Sequence, residues 1–255
     1  MGNLINALKA LPPSVVRAAR GSVVKHGGKK PKKLLELYEA EYCPFCRYVR
    51  EALTELDLDA VIYPVPKKGT RFRSKAEKLG GKGTVPFLRD PNTGRQMYDS
   101  EAIVNYLYAT YGPEGAKVPA RVLRTSVMAT ALRGTQGMLV KPSMVPAKRL
   151  ELYSFESSPY CRLVRETLCE LELPYVLHNV GKGSAIPVAW FTPAARSFLK
   201  LKDTTPLTQN RQKLLKRSER VQVPYLIDPN TDTALFESAE IQRYLRGTYG
   251  NPKSV

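Results

Sequence analysis

The chain has 255 residues, 43% of them hydrophobic, a single Trp, and 40 Lys and Arg against 23 Asp and Glu for a formal net charge of +17. That composition is globular and long enough for one large domain or two small ones; no stretch approaches the roughly 18 consecutive apolar residues of a membrane-spanning helix, and four cysteines are too few for a disulfide scaffold. The charge is unevenly placed: residues 1–33 carry +8, 113–149 carry +6 and 181–220 carry +7, leaving the remainder slightly acidic, so the basic character belongs to connecting segments rather than to the cores.

In chain order, residues 1–33 form a basic helical leader. Leu4, Leu8 and Leu11, then Val15, Ala18 and Ala19, are spaced for two short amphipathic helices interrupted by Pro12 and Pro13. The leader is expected to pack on the body with its charges in solvent; its lack of acid also leaves open an organelle transit role or weak binding to anionic surfaces. Leu35 and Leu37 alternate with Glu36 and Tyr38, the period of a strand. Pro44 then occupies a first helical position, and Phe45, Val49, Leu53 and Leu56 give an amphipathic helix. Val61–Val65 reads as a second strand, parallel to the first through a right-handed crossover. A variable helical stretch follows, then two strands about the Asp90-Pro91-Asn92-Thr93 turn and a helix from Ser100 to Tyr111.

The same order returns. LELYEAEYCPFCRYVREAL from Leu35 is echoed by LELYSFESSPYCRLVRETL from Leu150, and TVPFLRDPNTGRQMYDSEAIVNYLYATYG from Thr84 by QVPYLIDPNTDTALFESAEIQRYLRGTYG from Gln222. The offset is 115 at the first block and 138 at the second, so the second copy carries about 23 extra residues, in a basic insertion near 183–220. RAARG at Arg17–Gly21 has a further echo in TALRG at Thr130–Gly134. The chain is therefore two copies of one β-α-β-α-β-β-α module, at 34–112 and 150–250, each expected to close its own sheet, joined by a basic helical linker, 113–149, with a helix around Arg121–Arg133.

The chemistry of the first copy centres on Cys43-Pro44-Phe45-Cys46. A thiol attacks a disulfide only as thiolate. Cys43 lies just before a helix, where unpaired N–H groups and the dipole stabilise an anion, and Arg47 is one turn away. Cys43 is the expected nucleophile and Cys46 the resolving thiol. A zinc site usually needs four N or S ligands; the chain offers only His26, His178 and two distant cysteines beside the pair, so no metal site is expected within one chain. The second copy has Ser158 in place of Cys43 and keeps Cys161, which makes it a non-redox ligand site or a structural copy. Cys169 aligns with Thr54, a polar helix position, and reads as an incidental, partly exposed thiol. His178 reads as a structural histidine.

Together the opening strand, CPFC at a helix start, Val85-Pro86 before a hairpin and Asp99-Ser100 opening the last helix resemble the glutaredoxin-like thioredoxin fold, closest to the amino-terminal domain of glutathione transferases. The resemblance covers about two thirds of the chain, in two copies, and implies an α/β fold of two tandem thioredoxin-like domains without the all-helical transferase carboxy-terminal domain. It implies glutathione as cofactor or substrate, a thiol or disulfide co-substrate, and a glutathione site formed by Arg47, Val85, Pro86, Asp99 and Ser100, with a cis proline whose preceding valine pairs with the glutathione backbone. Ser158, Cys161, Val223, Pro224, Glu237 and Ser238 are the corresponding second-repeat candidates. The function implied is a glutathione-dependent oxidoreductase or transferase-like enzyme. A non-enzymatic binding module, or an iron-sulfur cluster shared between two chains, stays open beside it, as does N-capping alone for Asp99 and Ser100. No recognised nucleic-acid fold accompanies the basic segments, and the cytoplasm is the expected compartment, with an organelle stroma or matrix as the alternative.

Overall fold

The computed structural model describes residues 10–24, 27–120, 122–183 and 208–250. The leader contributes one short helix, α1 (Pro12–Val16). The first repeat then runs β1 (Leu35–Glu39), α2 (Pro44–Glu55), β2 (Ala60–Pro64), α3 (Arg73–Gly80), β3 (Phe87–Arg89), β4 (Gln96–Tyr98) and α4 (Ser100–Tyr111). A linker helix, α5 (Leu123–Ala131), leads to the second repeat: β5 (Leu150–Ser154), α6 (Pro159–Glu170), β6 (Tyr175–Asn179), α7 (Gln209–Ser218), β7 (Tyr225–Asp228), β8 (Thr233–Phe236) and α8 (Ser238–Tyr249). Residues 1–9, with Leu4 and Leu8, His26, Arg121 and most of the basic insertion lie outside the described residues. Its last part is α7, which precedes Val223-Pro224 as α3 precedes Val85-Pro86. Among the described residues no all-helical domain follows either repeat, and no helix is long and apolar enough to cross a membrane.

Each repeat builds the expected four-stranded sheet: β1 pairs parallel with β2 and antiparallel with β3, which pairs antiparallel with β4, and β5 to β8 repeat the pattern. The expectation of two separate sheets is corrected. β2 and β6 pair antiparallel, Ala60 with Leu177, Val61 with Val176 and Ile62 with Tyr175, giving one eight-stranded sheet in the order β4-β3-β1-β2-β6-β5-β7-β8. Left unpaired, β2 and β6 would be apolar edges with open backbone groups, the kind of edge that recruits another strand. Val61 faces Val176, its own equivalent at the repeat offset of 115, so a pseudo-twofold axis passes between them. One apolar layer, including Leu37, Val49, Leu53, Leu152, Val164 and Leu168, runs across both halves.

The lead-ins obey the same axis. Arg17 donates through Nε and Nη2 to Glu51, at 2.8 and 2.5 Å, and Arg133 forks onto Glu166 at 2.7 and 2.8 Å. The echo thus falls three residues later than the RAARG–TALRG match: Arg17 corresponds to Arg133, and Gly21, at φ +71°, to Gly137, at φ +68°. Each segment then crosses to the other repeat. Ser22 and Val24 bond the backbone of Lys182, and Met138 and Val140 that of Lys67, at 2.7–3.1 Å. The leader also departs from expectation in its orientation, since Arg17 is 4% exposed while Leu11 and Val15 are 42% and 67% exposed; pairing with Glu51 decides which face turns inward.

Buried charge fills the junction. The Glu156 carboxylate pairs with Arg50 at 2.8 Å, Arg165 at 3.0 Å and Arg47 at 3.4 Å; across the axis the Glu41 carboxylate pairs with Arg165 at 3.0 Å and Arg50 at 3.3 Å. Burial raises Glu156, but Arg165, Arg50 and Arg47 outweigh it and hold the carboxyl well below its usual range. Glu39, which also pairs with Arg50, is pushed up to about 7 by burial. Arg162, buried close to Arg47, is lowered to about 9. His178 is structural as expected: its ring nitrogens reach Asp59 at 3.0 Å and Glu151 at 3.2 Å, and these partners overcome burial to raise it to about 9.

Candidate active site

Strand register brings the motif elements to one end of the sheet. Tyr38 of β1 is opposite Phe87 of β3, which is opposite Tyr98 of β4, and the three rings form a ladder with centroids 5.5 and 4.6 Å apart. Cys43 lies five residues beyond Tyr38, Pro86 one before Phe87 and Asp99 one after Tyr98, so all emerge where the chain leaves the ladder. The Val85–Pro86 and Val223–Pro224 bonds are both cis. Val85 packs on the cluster that holds Cys43 and Cys46.

Cys43 is the N-cap of α2, with extended backbone (φ −83°, ψ 120°) and its Sγ accepting from the Cys46 amide at 3.3 Å. Pro44 at the first helical position costs no hydrogen bond, because that N–H would be unpaired anyway. The sulfur's acidity is enhanced: a hydrogen bond from the Cys46 side chain, with the Cys46 and Phe45 amides, outweighs desolvation and lowers Cys43 below an ordinary thiol. Cys46 shifts the other way, raised well above the ordinary value by burial and by its bond to Cys43. All four cysteines are free thiols. Cys43 keeps 7% of its surface in solvent and Cys46 none. The thiol whose pKa is lowered thus keeps a small exposure, and the one whose pKa is raised lies fully buried beside it.

Arg47 is not part of this electrostatics, contrary to the reading from spacing. Its guanidinium is buried at the repeat junction against Glu156 and Thr130, and the donors that stabilise Cys43 are Cys46 and the helix amides. Asp99 caps α4, its Oδ1 accepting from the Glu101 and Ala102 amides at 2.8 and 3.0 Å. It does so from a left-handed backbone, φ +71°, a conformation that costs a non-glycine residue of order 1–3 kcal/mol and tends to cluster at ligand clamps. Ser100 behind it is buried, with its Oγ unpaired among the described residues; an unsatisfied buried hydroxyl at a helix N-terminus costs about 1–3 kcal/mol, and an arriving carboxylate would satisfy it.

The second repeat matches the backbone and changes the chemistry. Ser158 caps α6, its Oγ accepting from the Cys161 amide at 3.3 Å, and Cys161 is fully buried. Glu237 shares the left-handed backbone, φ +64°, without a side-chain cap; its carboxylate takes a 2.6 Å bond from Gln222. Ser238 is fully buried, and Val223 packs against the aromatic side of its own sheet. The leader is fastened beside this turn, Ser14 donating to the Ser157 carbonyl at 2.5 Å and Arg162 to the Ala10 carbonyl at 2.6 Å. Cys169 corrects another expectation: it is 1% exposed and packs with Ala40, Cys43 and Cys46. Its contact crosses the β2–β6 junction, which a helical-wheel position does not reveal. No group of three or more His, Cys, Asp or Glu side chains that could hold a metal ion occurs among the described residues.

The family model of the glutathione S-transferase N-terminal domain matches twice, over residues 37–115 and 152–253. Among solved structures the chain is similar to a delta-class glutathione transferase of Nilaparvata lugens, with 29% identity over 31% of this chain and 37% of that one at a TM-score of 0.27. It is also similar to glutaredoxin 2 of Salmonella typhimurium in complex with glutathione, with 22% identity over 30% and 33% at 0.25, and to a trimeric glutathione transferase of Leishmania, with 14% identity over 86% and 68% at 0.28. The chain thus spans about a third of the length of the first two. No curated relative matches. The paired matches cover more than two thirds of the sequence and coincide with the two halves of the sheet: the chain belongs to the glutathione S-transferase N-terminal-domain family and carries that domain twice.

Proposed function

We propose that the first repeat is a glutathione-dependent thiol–disulfide oxidoreductase site. The Cys43 thiolate attacks a disulfide or a glutathione mixed disulfide, and Cys46 attacks the resulting mixed disulfide and releases the reduced product. The observation that carries the reading is the placement of two free thiols three residues apart at the start of α2, the Cys43 sulfur capping the helix and accepting from the Cys46 amide at 3.3 Å; the opposed shifts, Cys43 lowered and Cys46 raised, agree with it. Glutathione would pair with the Val85 backbone beside Pro86 and set its γ-glutamyl carboxylate on the Ser100 hydroxyl and the α4 amides, with Asp99 facing the ammonium. The unpaired Ser100 Oγ supports that assignment. In the second repeat Ser158 supplies no redox sulfur, and Glu237 is already engaged by Gln222; it is a ligand-binding or structural copy.

Glutathione-dependent reduction of a small mixed disulfide tests this. The wild type turns over, Cys43→Ser is inactive, and Cys46→Ser keeps activity with glutathione mixed disulfides while losing it with protein disulfides that need a second thiol. A second reading, a non-enzymatic module that binds a partner, is favoured by the low exposure of Cys43; a wild type with no turnover above the uncatalysed rate, and none above that of Cys43→Ser, would favour it.

A further inference from the structure

Cys169 belongs to α6 of the second repeat but lies against the motif of the first, in one buried cluster with Ala40, Cys43 and Cys46 flanked by Tyr42 and Val85. The Cys43 amide donates to the Ala40 carbonyl at 2.9 Å, closing the turn Ala40–Cys43, and the two fully buried thiols, Cys46 and Cys169, share one cluster with Ala40 and Cys43 of that turn. Burial raises Cys169 well above an ordinary thiol, so its attack requires a proton acceptor or a disulfide held against it.

The pseudo-twofold axis supplies an internal comparison. The position equivalent to Cys169 is Thr54, which crosses the junction in the opposite direction and donates to Asn179 Oδ1 at 2.9 Å. Where the first repeat has Ala40 the second has Phe155, whose ring packs with the cluster of Tyr153, Val180 and Tyr225. Three positions thus differ together. Cys43 goes with the small Ala40 and a thiol from across the junction; Ser158 goes with the bulky Phe155 and a hydroxyl. A cysteine used only as a small apolar filler would suit either turn, yet the third thiol stands beside the turn that has the nucleophile, and the alanine methyl leaves it room.

We propose that Cys169 is a third redox thiol of the Cys43–Cys46 site, accepting Cys46 from the Cys43–Cys46 disulfide. The inference rests on the oxidoreductase reading above. A disulfide substrate, itself reduced to thiols, oxidises Cys43 and Cys46 to their disulfide. Cys169 loses its proton and attacks the Cys46 sulfur; the Cys46–Cys169 bond forms, the Cys43–Cys46 bond breaks, and Cys43 departs as the thiolate, which can take up that proton. No further oxidant is consumed. The protein stays oxidised by two electrons, Cys43 is free again, and a buried disulfide ties the two repeats together.

The test equilibrates the full-length protein with reduced and oxidised glutathione at a series of ratios without oxygen, quenches in acid, alkylates free thiols under denaturing conditions and maps unreduced peptides by mass spectrometry. Trypsin leaves Cys43 and Cys46 on one peptide and Cys169 on another, and chymotryptic cleavage after Phe45 separates the first two. The expected result is a peptide joined through Cys46 and Cys169, with Cys43 alkylated in the same fraction. Cys169→Thr, the residue the first repeat carries at this position, should fold as wild type by circular dichroism and show no oxidised fraction with Cys43 free. Oxidised Cys43 accompanied by fully alkylated Cys169 at every ratio overturns this inference and leaves the oxidoreductase reading intact, as does a link from Cys169 to Cys43 instead of Cys46. Absence of any disulfide or glutathione adduct at Cys43, Cys46 and Cys169 at every ratio overturns both.

Discussion

Replacing Glu156 by Gln should damage the protein more than almost any other single change to a charged residue. This carboxylate, 3% exposed, is shared by Arg50, Arg165 and Arg47 at 2.8, 3.0 and 3.4 Å, so its removal leaves buried guanidinium groups of both repeats facing one another. Breaking a buried pair by deleting one partner costs about 3–5 kcal/mol, and with three cations affected the upper part of that range applies. For a chain of this size each kcal/mol lowers the melting temperature by about 2–4 °C, which predicts a fall of roughly 10–15 °C. The matched control is Glu240→Gln, which breaks a 2.6 Å pair with Arg243 whose side chains are 52% and 74% exposed and which should cost less than about 0.5 kcal/mol. Thermal unfolding by circular dichroism of both variants at pH 7 decides it. A Glu156→Gln melting temperature within about 2 °C of the control would show that the junction does not depend on the Glu156 charge.

Further outcomes follow from the same groups. His178 is raised to about 9 from an ordinary value near 6.5, so its ion pairs add stability that is fully present below about pH 6.5 and is lost as the pH rises through 9; the contribution is ~3 kcal/mol, and His178→Gln should remove most of the wild type's loss of stability between pH 6.5 and 9. Ser158→Cys should create a second fast-alkylating thiol at the start of α6 if the leader and the insertion leave that turn accessible, and mass spectrometry after a short iodoacetamide pulse distinguishes one labelled site from two. Ser100→Ala should leave the melting temperature unchanged or slightly raised, since it deletes an unsatisfied buried hydroxyl, while raising the KM for glutathione several-fold; an unchanged KM would remove Ser100 from the proposed site.

What could be read in the sequence is what lies within one repeat. The alternation of Leu35 and Leu37, the apolar spacing from Phe45 to Leu56 and the Asp-Pro-Asn-Thr turns each specify a local element, and the recurrence of the whole string specifies two copies. Cys43, Pro86 and Asp99 were legible as a set because each motif carries its own local chemistry. What lay hidden depends on one copy meeting the other. The β2–β6 pairing arises because each strand would otherwise be an apolar edge, and it then decides where Arg47, Cys169 and Arg17 point. The pattern Glu-x5-Arg-x2-Arg-Glu, at Glu41–Glu51 and again at Glu156–Glu166, was the available signal: charged residues repeated on a helix together with its apolar face indicate buried pairing rather than a solvated surface. Arg47 read as a neighbour of the thiolate because spacing along a helix gives distance without direction, and Glu156 in the other repeat sets its direction.

The proposed role of Cys43 as thiolate nucleophile is decided by the pH dependence of its alkylation. With Cys46 and the α2 amides stabilising the anion, the rate of Cys43 carbamidomethylation by iodoacetamide should titrate well below the value of about 8.5 for a free cysteine, with Cys46 unlabelled throughout. A Cys43 profile centred at or above about 8.5, or labelling of Cys161 before Cys43, would show that Cys43 is not the nucleophile.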